Sequence, residues 1–314
     1  TFPALPCHGS ELLPVLAALG AAVLWGGSVA ATKTALTHFP PLTLMWLRMT
    51  LAALLLLPFA RNVLPQNLRP GDVKYLAAAS LLMPCAYFLC EANALQLTTS
   101  AQAGVVSSSV PLLVGVGAAL FLGETLSGRV LAGLSLSVAG VAWLSLASAP
   151  QASAPAPLLG NALEFLAMIC AAGSMLLIKR LSGRYSPWTL TAVQTIIGAL
   201  FFLPGAAGVT AAPWDWPRDA ALAVLFLGGL VTLGAFGLYN WALSRLPAAR
   251  VSAFINLVPI IAVALGWLTM NETLNLTQAV AAAVVLVGVA LSQSRASTAP
   301  KRPAPASEQV RESA

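Results

Sequence analysis

Ten stretches of about twenty predominantly apolar residues follow one another along this chain of 314 residues, separated by short polar punctuation. About twenty such residues are needed for a helix to cross the hydrocarbon core of a bilayer, where each backbone polar group has to be satisfied without water. The repeated runs therefore commit the chain to a bundle of membrane-spanning helices. They lie near residues 12–33, 41–60, 73–97, 101–122, 129–148, 158–179, 187–207, 219–243, 249–270 and 276–293. Apolar residues make up 58% of the chain and charged ones 8%, too few charges to clothe a water-soluble surface. A soluble enzyme, a secreted disulfide scaffold and a disordered protein are excluded. The net charge of +6 does not point to nucleic acid, because the basic residues stand singly between apolar runs instead of gathering on one face.

Neither a cofactor nor a metal nor a catalytic set is expected. Cys7, Cys85, Cys90 and Cys170 lack metal-type spacing, and His8 and His38 are too few and too far apart for a cluster. Pro6 before Cys7 argues against a lipid anchor, and the absence of Lys or Arg before Leu12 argues against a cleaved signal peptide. Asp72 is a candidate cap for the third span. Asn275 with Gln278 has the spacing of a capping box before the tenth. Residues 149–157 read as an Ala/Pro/Ser linker, and residues 294–314 as a polar tail too poor in apolar side chains to fold.

Orientation follows from where Lys and Arg fall, since short cytoplasmic loops retain positive charge. With a cytoplasmic amino terminus, thirteen basic residues lie inside: Arg61, Arg69, Lys74, Arg129, Lys179, Arg180, Arg184, Arg245, Arg250, Arg295, Lys301, Arg302 and Arg311. Only Lys33 and Arg218 lie outside, and Arg48 falls within a span. Both termini are thus expected in the cytoplasm of a bacterial inner (plasma) membrane.

The chain also repeats itself. At an offset of 148, residues 94–126 match residues 242–274 at nine of thirty-three positions, and at an offset of 146 Gly27-Ser28, Lys33, Pro41 and Pro58 recur as Gly173-Ser174, Lys179, Pro187 and Pro204. Five helices per half is an odd number, so the second half, 158–293, sits upside down relative to the first, 12–148. Inverted repeats of this kind build many secondary transporters.

The pattern Ala94-Leu95, Ala101-Gln102-Ala103-Gly104, Val110-Pro111 and Gly123-Glu124-Thr125-Leu126 returns as Ala242-Leu243, Val258-Pro259 and Asn271-Glu272-Thr273-Leu274. It resembles the paired EamA domains of the drug/metabolite transporter superfamily over residues 12–293, with Asn271 replacing the usual glycine in the second copy. The resemblance implies an all-α, ten-helix transporter that moves small metabolites or drugs, often outward, by alternating access. It names no substrate.

Pro111 and Pro259 recur near the middle of the fourth and ninth spans, where each removes a backbone donor and frees the carbonyls of Ser107 and Ile255. A kinked helix pair lining a central cavity is expected there, with Ser107, Ser108, Ser109 and Asn256 as polar groups beside the kinks; a plain packing kink is the alternative. Glu91 lies about 24 Å along the third span at a rise of 1.5 Å per residue. An ionisable side chain at that depth is a functional candidate, as a proton carrier or a counter-charge for an amine. The alternative is an ion pair with Arg48, and a pair that opens as a gate joins the two readings. Gln194 and Tyr239 stand at the positions equivalent to Arg48 and Glu91, so this charge belongs to one half only. Glu164 reads as a solvated helix end, Glu124 and Glu272 as helix-start anchors, and Lys33 and Lys179 as snorkelling residues.

Trp25, Tyr87, Tyr239, Asn240 and Trp241 lie near these polar positions as a candidate platform for apolar or aromatic cargo, with core packing as the alternative. Trp188, Trp214 and Trp216 read as an interfacial belt, and Ala22, Gly26, Ala30 and Thr34 as a close-packing stripe. The expected function is export of a small amphipathic metabolite, an amino acid or a drug-like compound, with Glu91 a candidate for coupling to protons. An uncoupled facilitator is the first alternative and a lipid-handling protein the second. No Walker motif, charge ring or repeated filter is visible. Small molecules and membrane lipid are the expected partners, nucleic acid is not, and the oligomeric state is left open.

Overall fold

The computed structural model describes residues 12–63, 68–122, 128–147, 154–246, 251, 253–270 and 274–293. Among them the fold is all-helical. Its elements are α1 (Leu12–Leu36), α2 (Pro41–Leu56, prolonged by short turns to Val63) and α3 (Asp72–Leu97), followed by α4 in two pieces (Ser100–Ser107 and Val110–Leu122) and α5 (Gly128–Leu146). The second half has α6 (Pro157–Leu181), α7 (Pro187–Phe201), α8 (Arg218–Arg245), α9 (Leu257–Met270, after a 3-10 turn at Ala253–Asn256) and α10 (Leu276–Gln293). Six of these, α1, α2, α3, α4, α6 and α8, are long and apolar enough to cross a membrane, while α5, α7, α9 and α10 are apolar over shorter lengths.

Local chemistry sets many of the boundaries. Pro41, Pro157 and Pro187 each occupy the first helical position, where the missing N–H costs no hydrogen bond. Thr99 caps α4 by accepting from Gln102 N at 3.2 Å, and Ser186 caps α7 by accepting from Thr189 N at 3.0 Å. The capping box forms as the spacing predicts: Gln278 N donates to Asn275 Oδ1 at 2.8 Å and Asn275 N to Gln278 Oε1 at 2.9 Å. Asp72 departs from expectation. Gly71, at φ 89°, precedes α3, and Asp72 is already in the helix with its carboxylate turned across to the end of α6. There it accepts from Arg184 Nη1 at 2.5 Å and from the Tyr185 hydroxyl at 3.1 Å. Two strong donors outcompete the helix's own N–H groups for its oxygens.

Packing crosses between the halves. α1 lies against α8 and α9, and its equivalent α6 lies against α3 and α4; α2 packs on α7 and α5 on α10. Gly26 lets α1 approach α9, since a Cβ there would fall 2.5 Å from the Ile261 Cβ, and Ala22 and Ala30 are buried beside it. At one end Lys33 Nζ donates to the Thr98 carbonyl at 2.8 Å, where α3 finishes. At matched positions Lys179 Nζ donates to the Leu243 and Leu246 carbonyls at 2.7 and 2.9 Å, where α8 finishes. Both lysines therefore satisfy helix C-terminal carbonyls instead of merely snorkelling, a placement the helix dipole favours. Since α1 ends beside the end of α3, and α6 ends beside its start at Asp72, α1 and α6 run in opposite directions.

The third helix of each half carries an irregularity. In α3 it is a π segment at Leu81–Ala86 with non-helical backbone at Met83 and Pro84 inside, and in α8 a π segment at Phe226–Ala235. The Gln194 amide donates to the Met83 carbonyl at 2.8 Å, so the group freed by the break is paired from α7. Glu124, Glu272, Asn271, the polar tail and residues 149–153 of the linker lie outside the described residues.

Candidate functional site

Where the two halves meet, two neighbouring cavities share Trp25, Met83 and Met175 on their walls. The larger is lined by residues of both halves. Four of its wall pairs are repeat equivalents: Trp25 with Ala171 and Val29 with Met175 at the offset of 146, Ser107 with Ile255 and Val110 with Val258 at 148. The cavity therefore draws on matched residues of both halves. Glu91, Tyr87 and Ser28 complete its polar lining.

Interrupted helices open this space. α4 stops at Ser107 and restarts at Val110, and in the other half the 3-10 turn at Ala253–Asn256 gives way to α9 at Leu257. Pro111 is thus the second residue of a new helical piece, not a kink within a continuous one, and it sits where a missing N–H is tolerated. Pro259 falls likewise in the first turn of α9; its side chain and that of Asn256 lie outside the described residues. Ser107 and Val110 flank one break and Ile255 and Val258 the other, and all four face the cavity.

Charge enters from one side. The Tyr87 hydroxyl donates to Glu91 Oε1 at 2.6 Å, an i to i+4 contact along α3. Arg48, 1% exposed, donates through Nε to the Thr232 hydroxyl at 3.2 Å, and its guanidinium lies 4.0 Å from the Phe88 ring centroid. Arg48 and Glu91 interact electrostatically without closing to ion-pairing distance. Glu164 corrects the sequence expectation. It is 1% exposed, not a solvated helix end, because α3 and α4 pack over the start of α6. Ser107 Oγ lies 3.2 Å from its Oε1, and its Oε2 has no hydrogen-bond partner. One turn earlier Asn161, Gln102 and Thr98 form a buried polar cluster with contacts of 2.7 to 3.1 Å that joins α6 to α3 and α4.

The smaller cavity holds the neutral counterparts. Tyr239 and Gln194, equivalent to Glu91 and Arg48, both line it, as does Asn240, which donates to Thr191 Oγ1 at 2.9 Å. The Trp25 ring lies 4.8 Å from that of Tyr239 and 5.8 Å, edge to face, from that of Phe236. Thus Trp25, Tyr87, Glu91 and Ser107 converge on one cavity and Tyr239 and Asn240 on its neighbour. Ser108 is fully buried with its hydroxyl on the Val105 carbonyl, and neither it nor Trp241 or Arg48 is on either wall. Sequence reasoning missed Met83 and the depth of Glu164, and it named Gln194 only as the equivalent of Arg48, not as a wall residue. The dipeptide Met83-Pro84 inside the third apolar run carried a signal for the first of these.

A helical bundle with several membrane-crossing helices, and a polar-lined cavity between two alike halves, defines a multi-pass membrane transporter. Comparison with known proteins gives its family. The model of the EamA-like transporter family matches residues 12–146 and again residues 158–293, and the chain belongs to that family. It is 29% identical over 270 residues to the uncharacterized transporter YetK of Bacillus subtilis, covering 84% of this chain and 82% of that protein. It is 27% identical over 282 residues to a protein of Escherichia coli named probable amino-acid metabolite efflux pump, covering 87% and 92%. A solved crystal structure superposes with a TM-score of 0.64 at 23% identity, over 90% of this chain and 97% of that one, which is a likeness of fold. The protein is a transporter of the drug/metabolite superfamily, not an enzyme, and an integral protein of the plasma membrane.

Proposed function

We propose that this transporter exports small amphipathic metabolites, amino acids or drug-like compounds, by alternating access, with ten membrane-spanning helices arranged as two inverted five-helix repeats and both termini cytoplasmic. The first repeat is residues 12–148 and the second residues 158–293. The observation that carries the reading is the larger cavity, built from matched residues of both halves beside two interrupted helices. Rocking one half against the other opens such a site to each side in turn. The opposite directions of α1 and α6 and the excess of basic residues in the inner loops support the inverted arrangement. Export is favoured by likeness to the Escherichia coli efflux pump.

Cargo sits against Trp25 and Tyr87 with hydrogen bonds from Ser107, and Glu91 carries the coupling proton. The test is uptake into liposomes of a panel of amino acids, purines and cationic drugs, with and without a pH gradient, by wild type and Glu91→Gln. Gradient-driven accumulation that Glu91→Gln abolishes while exchange survives is expected. Equal, gradient-independent movement by both proteins makes the chain an uncoupled facilitator. No movement of any compound returns the lipid-handling alternative.

A further inference from the structure

The larger cavity carries one acid and a few neutral hydroxyls in a mostly apolar lining. Glu91 is on its wall, and Glu164 stands immediately behind Ser107 with Oε2 unpartnered and its side chain 1% exposed. Arg48 is not on this wall: its Nε donates to Thr232 and its guanidinium face lies on Phe88, neither of which lines the cavity. Among the described residues the wall carries no Lys, Arg or His. The remainder is Trp25, Tyr87, Met83, Met168, Met175, the hydroxyls of Ser28 and Ser107, and small or branched aliphatics. Aromatic faces attract an ammonium and thioethers adapt to an irregular apolar body. A cargo carboxylate entering here meets Glu91 and no cation on the wall, which costs binding through like-charge repulsion and an unpaired buried charge.

We propose that the cargo is an amphipathic organic cation, a primary or secondary ammonium on an aromatic or branched apolar body and without a carboxylate of its own. Glu91 holds the ammonium, and Trp25 and Tyr87 flank it. The proposal rests on the transporter reading and narrows its substrate class: of two otherwise equal compounds, the amine is preferred to the amino acid.

Calorimetric titration of the full-length protein in detergent with 2-phenylethylamine, phenylalanine and 3-phenylpropionate tests it without any transport step. The amine is expected to bind, phenylalanine more weakly, and 3-phenylpropionate not at all. Glu91→Gln keeps the shape of the side chain and is expected to weaken the amine about thirtyfold or more, the usual cost of truncating one partner of a buried charge pair. Phenylalanine or 3-phenylpropionate binding as tightly as the amine overturns the proposal. So does an amine affinity within about threefold of wild type in Glu91→Gln, or no amine binding up to about 10 mM. If Glu91→Gln elutes as aggregate, the wild-type ranking of the three compounds decides alone. Liposome transport of phenylalanine with no amine binding refutes this inference and leaves the exporter standing, whereas amine binding with no transport does the reverse.

Discussion

Replacing Asp72 by Ala removes the acceptor of two hydrogen bonds that tie the start of α3 to the end of α6, and the structure allows the cost to be worked out. The Asp72 side chain is 3% exposed, and it accepts from Arg184 at 2.5 Å and from Tyr185 at 3.1 Å. A hydrogen bond to a charged group contributes about 1.5–3 kcal/mol when buried, the class to which the Tyr185 contact belongs. The Arg184 side chain is 43% exposed, so its contact is screened to about 0.5–1 kcal/mol. Asp72→Ala should therefore cost about 2–4 kcal/mol, and Asp72→Asn, which keeps the shape and one acceptor, about half of that. Tyr185→Phe strands a buried carboxylate oxygen and also removes the acceptor used by Arg69 N at 3.2 Å, a cost of about 1–3 kcal/mol. Equilibrium unfolding in mixed micelles, read as a double-mutant cycle of Asp72→Ala with Tyr185→Phe, should give clear coupling, with the double variant less destabilised than the sum. A loss below about 0.5 kcal/mol for Asp72→Ala, or additivity within error, would refute the account of this contact as a tether between halves.

Two further perturbations probe how the helices are placed. Gly198→Ala on α7 puts a Cβ 2.7 Å from both Met49 Sδ and Pro84 Cγ; Met49 can swing aside but the proline ring cannot, so a loss of about 1–3 kcal/mol is expected. Gly183→Ala, with nothing within 4 Å of the new atom, is the control, and equal stability of the two variants in the same unfolding assay would argue against close packing of α7 on the break in α3. Asn275→Ala removes one arm of the capping box of α10 and should cost about 0.5–2 kcal/mol. Asn275→Asp should recover most of it, and a thermal melt that fails to separate the two substitutions counts against the cap.

The residues themselves determined that this chain lives in a membrane, because stretches of about twenty apolar residues admit no other helical solution. They also determined features that depend on near neighbours or on matched spacing. The Asn275–Gln278 capping box is an i to i+3 contact, and the EamA-like pattern can be read twice along one strand of text. Glu91 was legible as a candidate because an ionisable group inside an apolar run is conspicuous wherever it packs.

Tertiary structure decided what depends on residues far apart in sequence. Glu164 sits only a few positions into its helix, so by depth alone it reads as solvated; α3 and α4 bury it and set Ser107, 57 residues away, against it. Arg48 and Glu91 were candidates for an ion pair by depth; they still interact electrostatically, but Thr232, 184 residues on, and Phe88 take the Nε and the guanidinium face. The break at Met83 is tolerable only because Gln194 reaches its carbonyl from the other half. In lipid a freed backbone group or a buried charge has no water to fall back on, so its fate is set by whichever distant side chain the fold delivers.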